Sequence, residues 1–238
     1  MIVAGGSESF ENYLIEYNKE GNHINDIQLS GNPFDLTLID SNRIAITYGN
    51  LSSFFIKINQ ILGMLPLRVE IKSITHGSSI KIPVNSSCWG ISYQDGRLYM
   101  IAEEEGILVA DVLGNILNTL PINTRNVKYI ATSKDIICYT NDVENSVHCF
   151  NMVGKEIWIF QRNTLIHPAG LSVGHNNDIF VVGCASNNIT LIHHDGIESK
   201  ILLTAADGLN EPKSLHYDKN SKTLLVCDNM NALLYNVV

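Results

Sequence analysis

The sequence predicts an all-β fold, a β-propeller of six blades, and three observations carry that prediction. The stretch from Pro168 to Thr204 breaks into four short apolar runs, Leu171 to Val173, Ile179 to Val182, Ile189 to Ile192 and Ser199 to Leu203. The clusters GHNND, CASNN and HDG between them are turn formers. The second run, DIFVVGC, is apolar on both faces, which a strand covered by neighbouring sheets on both sides requires. The third observation is a repeat. A hairpin glycine recurs at Gly21, Gly77, Gly114, Gly154 and Gly196, and a strand start follows each after 11 to 16 residues, at Pro33, Cys88, Val127, Pro168 and Pro212. Four-stranded blades repeat at roughly 40 to 50 residues. Helical solenoids share such periods, but short β-branched runs broken by Gly and Asn are strands.

Taken in order, residues 1–31 supply three strand-like runs, MIVAGG, NYLIEYNKEGN and HINDIQL, and lack a first strand. Residues 32–86 open with NPFDLTLI and NRIAITY and then carry three runs, FFIKI, VEIKSI and IKIPV, where two are needed. The register of Gly77 makes VEIKSI and IKIPV the third and fourth strands and leaves residues 51–66 as an insertion. There Phe54, Ile58, Ile61, Leu62 and Leu65 fall at helical spacing between a Ser52 or Ser53 cap and Pro66. A rival reading keeps FFIKI as the third strand. Residues 87–125 read CWGISY, RLYMIA, ILVADV and ILNTLPI; residues 126–166 read VKYIAT, DIICYT, VHCFN and EIWIFQ; residues 167–210 are the stretch described first. Residues 211–238 hold SLHYD, KTLLVCD and ALLYNVV. The propeller is therefore expected to lack its N-terminal closing strand and the inner strand of its first blade. One continuous segment upstream of Met1 would supply both, and without it ALLYNVV is an open edge.

A length of 238 residues suits one all-β domain. Charged residues make up only 17%, below the roughly 25% of average soluble domains, which fits a chain with much internal sheet surface. The net charge of −8 argues against a partner bound chiefly through phosphate neutralisation. Cys88, Cys138, Cys149, Cys184 and Cys227 show no C-x-x-C spacing and read as buried free thiols, with no disulfide framework or zinc site signalled. No signal-peptide pattern and no apolar span of about 20 residues occurs, so the expectation is a cytoplasmic protein without membrane contact.

No cofactor is called for. A calcium site wants six to eight oxygens, whereas the channel-end positions of the inner strands read Asp35, Gly90, Tyr129, Gly170 and Ser214, one carboxylate in five. His193 and His194 are adjacent, so on a strand they would point to opposite faces; His148, His167, His175 and His216 lie on separate strands and loops. Glu103, Glu104 and Glu105 form the one acidic run, at a turn expected to share a face with Trp89, Asn141, Asp142, Asn187 and Asp228. A ring of loops with one aromatic and several acids would suit a basic or polar protein segment.

With the repeats laid out, the chain resembles the NHL-repeat propellers at the C-terminus of tripartite-motif (TRIM) proteins, particularly divergent invertebrate members. The matching features are P-x-x-x-L/V at Pro33, Pro168 and Pro212, Gly-x-[SV] at Gly90 and Gly170, the Ser186 to Asn188 turn, and TAADGLNEPKSLHYD from Thr204 to Asp218. The resemblance implies a substrate-recognition module of an E3 ubiquitin ligase whose RING chemistry lies outside this chain, and hence a chain that is not itself an enzyme. An RNA-binding NHL propeller and a metal-dependent propeller hydrolase or lactonase are the alternatives.

Overall fold

The computed structural model describes residues 2–5, 12–18, 20–49, 68–228 and 231–237. The stretch from Leu51 to Pro66, expected as an insertion, lies outside the described residues. Among the described residues the strands, in chain order, build six hydrogen-bonded antiparallel sheets. β1 (Ile2–Gly5), β2 (Tyr13–Tyr17) and β3 (His23–Gln28) form a three-stranded sheet. β4 (Asp35–Leu38), β5 (Arg43–Thr47), β6 (Arg68–Ser73) and β7 (Ser79–Pro83) form the next. Then come β8 (Cys88–Gln94), β9 (Arg97–Ala102), β10 (Gly106–Asp111) and β11 (Ile116–Leu120), followed by β12 (Val127–Thr132), β13 (Ile136–Asn141), β14 (Ser146–Asn151) and β15 (Glu156–Gln161). β16 (Pro168–Val173), β17 (Ile179–Gly183), β18 (Asn188–Ile192) and β19 (Ser199–Leu203) make another four-stranded sheet. β20 (Ser214–Asp218), β21 (Thr223–Cys227) and β22 (Ala232–Asn236) make a three-stranded one. VEIKSI is β6, paired with β5 on one side and with IKIPV, β7, on the other. VEIKSI and IKIPV are thus the third and fourth strands of this sheet among the described residues.

Burial follows position in the sheet. Every residue of β13 and β17 is buried, and β9 is buried from Leu98 onward. The last strands, β3, β7, β11, β15 and β19, are mostly exposed. A strand with both faces covered needs no polar alternation, which is why RLYMIA, IICYTN and IFVVG read as near-continuous apolar runs. The five hairpin glycines found by spacing all have positive φ, from +66° at Gly77 to +92° at Gly114. Three of them sit three residues after an Asn or Asp whose side chain accepts two backbone N–H groups of the turn: Asn18, Asp111 and Asn151. The side chain mimics a backbone acceptor and the glycine takes the left-handed position, so the turn is specified twice.

Residues 1–103 with 108–118 form one compact unit, and residues 104–107 with 119–238 a second. In the first unit the carboxylate of Asp35, enclosed although the residue as a whole is half-buried, accepts an N–H from Ile91 at 2.9 Å and one from Leu36 at 2.9 Å. Burial pushes its pKa up to about 6 against these two hydrogen bonds. Beside it Thr37 accepts from the N–H of Tyr93, and the Thr47 hydroxyl donates to the carbonyl of Trp89. Glu70, 2% exposed, accepts from the Ser30 and Tyr48 hydroxyls; burial raises its pKa, but the hydroxyls of Ser30, Tyr48 and Ser79 outweigh that and hold it below the usual carboxylate range. In the second unit the Thr140 hydroxyl donates to the carbonyl of Ala169 at 2.8 Å. The N–H of Gly170 donates to the carbonyl of Lys213 at 2.8 Å, and Ser172 accepts from the N–H of Tyr217 at 3.1 Å. Polar side chains aimed at main-chain groups thus join neighbouring sheets, between apolar clusters centred on Leu98 and Met100 in the first unit and on Phe160 and Val181 in the second.

Candidate functional site

The innermost strands begin irregularly. Pairing slips between Cys88 and Ile91 in β8, between Val127 and Tyr129 in β12 and between Pro168 and Leu171 in β16. Each slip is a β-bulge, which leaves one or two residues outside the ladder and re-aims their side chains. The Gly-x-[SV] starts at Gly90 and Gly170 are bulge positions. At Gly170 a Cβ would lie 2.7 Å from the Ser214 Cα, so only glycine lets β16 approach β20 this closely.

In the second unit these starts surround a cleft of about 300 Å³. Lys128, the bulged residue of β12, lines it and lies 3.5 Å from Asp142, which follows β13. Asn141 stands behind Asp142, 6% exposed, its side chain accepting the N–H groups of Val143 and Glu144 at 3.1 Å each and so shaping the turn. His167 lines the cleft just before β16; its N–H donates to Asn145 at 2.7 Å and its carbonyl accepts from the N–H of Cys184 at 3.1 Å. Cys184 is half-buried, and burial together with the charge of Glu211 raises its thiol pKa while Lys213 opposes the shift. Glu211, at φ +46°, is pinned by its N–H donating to the Asn187 side chain at 2.6 Å. The cleft therefore sets a Lys–Asp ion pair and a second Lys and Glu around one histidine and one thiol.

Of the residues singled out by sequence, the structure brings Asp142 into this cleft, with Asn141 and Asn187 bracing its walls. Asp228 instead accepts from the N–H of Asn231 at 2.6 Å and does not line it. Trp89 packs edge-on against Phe34, ring centres 4.9 Å apart, over Gly49. Glu103, Glu104 and Glu105 are an exposed turn between β9 and β10. Lys128 and Lys213 escaped the sequence reading, which took His167 for a scattered histidine and Cys184 for a buried thiol, whereas both line the cleft and Cys184 is half-buried. The expected divergence of His193 and His194 is corrected: β18 ends at Ile192, so both lie in a turn, where their Nδ1 atoms are 3.4 and 4.0 Å from the same Asp178 oxygen. Among the described residues no three His, Cys, Asp or Glu side chains converge as a metal site, and no helix is long and apolar enough to cross a membrane.

No protein-family model matches the chain, and no curated protein matches it in sequence. Solved structures do match. The fold is a β-propeller. The chain is similar to a catalytically inactive virginiamycin B lyase from Staphylococcus aureus with quinupristin, at 14% identity and a TM-score of 0.64, over 98% of this chain and 83% of that one. A selenomethionine form of virginiamycin B lyase from the same organism matches at 14% identity and a TM-score of 0.65, over 99% and 83%. A streptogramin B lyase matches at 14% identity and a TM-score of 0.63, over 96% and 77%. The expectation that the chain is not an enzyme is thereby corrected, because propellers of this build include lyases. At this identity the likeness carries the fold, so propeller architecture gives no ground for setting catalysis aside.

Proposed function

We propose that the chain recognises a polypeptide segment through the cleft between β12 and β16, as part of a propeller of the NHL type. One observation supports this above the others: two cations, Lys128 and Lys213, and two anions, Asp142 and Glu211, line a single opening. A polyanion such as RNA would meet as many repelling as attracting groups there. A segment carrying a carboxylate next to an ammonium or guanidinium would satisfy both signs, and electrostatic complementarity of this kind selects partners more than it adds affinity. Service as the recognition end of a TRIM-like ligase is the finer form of this reading and rests on the sequence resemblance.

Selection of peptides from a random displayed library tests the proposal. Wild-type protein should enrich peptides with neighbouring acidic and basic residues, whose binding falls at least tenfold in Lys213→Glu and weakens with salt. Enrichment of the same peptides by Lys213→Glu and Lys128→Glu would overturn it.

A second reading is favoured by the lyase neighbours together with His167, which lines the cleft and carries the side chain most often used for proton transfer. Consumption of quinupristin, followed by chromatography and lost in His167→Ala, would support it; an unchanged quinupristin peak would exclude that substrate.

A further inference from the structure

In β13 and β14 the register sets Cys138 directly opposite Cys149, and their sulfur atoms stand 2.8 Å apart. Both residues are 0% exposed, enclosed by Ala131, Val147, Phe160 and Val181. The separation exceeds a disulfide bond, about 2.05 Å, by less than an ångström. Side chains directly across an antiparallel pair stay together through every breathing motion that leaves the hairpin paired, so the two thiols need no rearrangement to meet. Cys184 and Cys227, the other two thiols of this unit, are half-buried, and across the sheet from Cys227 stand Ser214 and Ala232 rather than a cysteine.

We propose that Cys138 and Cys149 are a modification site, joined as a cross-strand disulfide by a small-molecule disulfide acting as the two-electron oxidant. One cysteine thiolate attacks the sulfur–sulfur bond of the reagent, forming a mixed disulfide and releasing one reagent thiolate. The second cysteine thiolate attacks the protein sulfur of that mixed disulfide and releases the other. The two thiol protons pass to the released thiolates, so two cysteines are oxidised and one reagent molecule is reduced to two thiols. Burial raises the Cys138 thiol pKa, with Cys149 adding to the shift. The reaction is accordingly slow in the closed sheet and proceeds through local openings that admit the reagent while leaving the β13–β14 hairpin paired. Once formed, the bond ties the strands that flank the turn carrying Asp142, one wall of the cleft. The inference stands on the hairpin alone and is independent of what the cleft binds.

The test incubates the reduced full chain with oxidised glutathione, quenches with N-ethylmaleimide and digests without reductant. Cleavage at Lys134, Glu144 and Lys155 separates the two cysteines onto two peptides that only the disulfide holds together. The expected result is one linked pair, a mass about 2 Da below that of the two free peptides, disappearing on reduction. The oxidised protein should also melt several degrees higher than the reduced one, roughly 5 °C for a short closed loop in a chain of this size. Cys138→Ala and Cys149→Ala should each abolish that rise. Recovery of both peptides carrying N-ethylmaleimide, retention of glutathione on either cysteine, or linkage of either to Cys184 or Cys227 would overturn the proposal. The wild-type peptide map decides the matter even where a variant fails to fold.

Discussion

The joint between β4 and β8 and the joint between β16 and β20 perform one task with different chemistry. In both, the first strand of one sheet is received by a polar side chain from the first strand of another, β8 by Asp35 of β4 and β20 by Ser172 of β16. In the first, a carboxylate, Asp35, accepts the N–H of Ile91; in the second, a hydroxyl, Ser172, accepts the N–H of Tyr217, and Gly170 adds a direct main-chain bond to Lys213. Either acceptor satisfies a backbone donor that burial would otherwise leave unpaired. The carboxylate adds a dependence on protons that the hydroxyl does not have, so the two joints should respond differently to the same perturbations.

The largest expected difference comes from filling the close approach in the second joint. Gly170→Ala places a Cβ 2.7 Å from the Ser214 Cα and 2.9 Å from the Lys213 carbonyl oxygen, backbone atoms that cannot swing aside. We expect a loss of about 3 kcal/mol or more in urea unfolding, the range of overpacking and backbone displacement. Next comes pH. Asp35 titrates near 6 when folded against an ordinary value of 3.8, so below about pH 4 both states are protonated and nothing is lost. As pH rises toward 6 the unfolded chain ionises first and stability falls, by at most about 3 kcal/mol in total. Asp35→Asn should flatten that slope between pH 4 and 6, whereas Ser172→Ala should leave it in place. Equal slopes in wild type and Asp35→Asn would show that the carboxylate is not the titrating group.

Smaller effects sharpen the comparison. Thr47→Val and Thr140→Val each remove a hydroxyl that donates to a main-chain carbonyl, of Trp89 and Ala169 respectively. Each should cost about 1 to 2 kcal/mol, measured by chemical denaturation. Ser172→Ala should cost about 1 kcal/mol and be independent of pH.

Local structure was legible in the sequence, and convergence was not. Ser199 to Leu203 is β19 as read, and the five glycines lie at left-handed turns, because strand runs and turn residues obey rules that operate within a few residues. VEIKSI and IKIPV are the paired strands β6 and β7 that the spacing of Gly77 pointed to, since a hairpin fixes its own register. Lys128, Glu211 and Lys213 went unread, and His167 was taken for an isolated histidine, because three successive repeats deliver them and a bulge redirects the first. The bulges of β8 and β16 left a trace in Gly90 and Gly170, but that of β12, which carries Lys128, has no glycine to mark it. His193 and His194 were misplaced for a related reason: alternation was applied one residue beyond the end of β18. The segment TAADG, read as a family mark, is a local device in which Thr204 and Asp207 cap a single 3-10 turn that Gly208 closes at φ +95°.

The threonine bonds between sheets have a consequence for how such a chain can change over time. Thr47 is answered by the carbonyl of a tryptophan and Thr140 by the carbonyl of an alanine, and the bond is the same because a carbonyl is common to every residue. Selection acting on the joint holds the hydroxyl and leaves its counterpart free to drift. A fold fastened in this one-sided way can exchange most of its surface and much of its interior while keeping its strand order, which is the condition for two propellers to share their architecture at 14% identity.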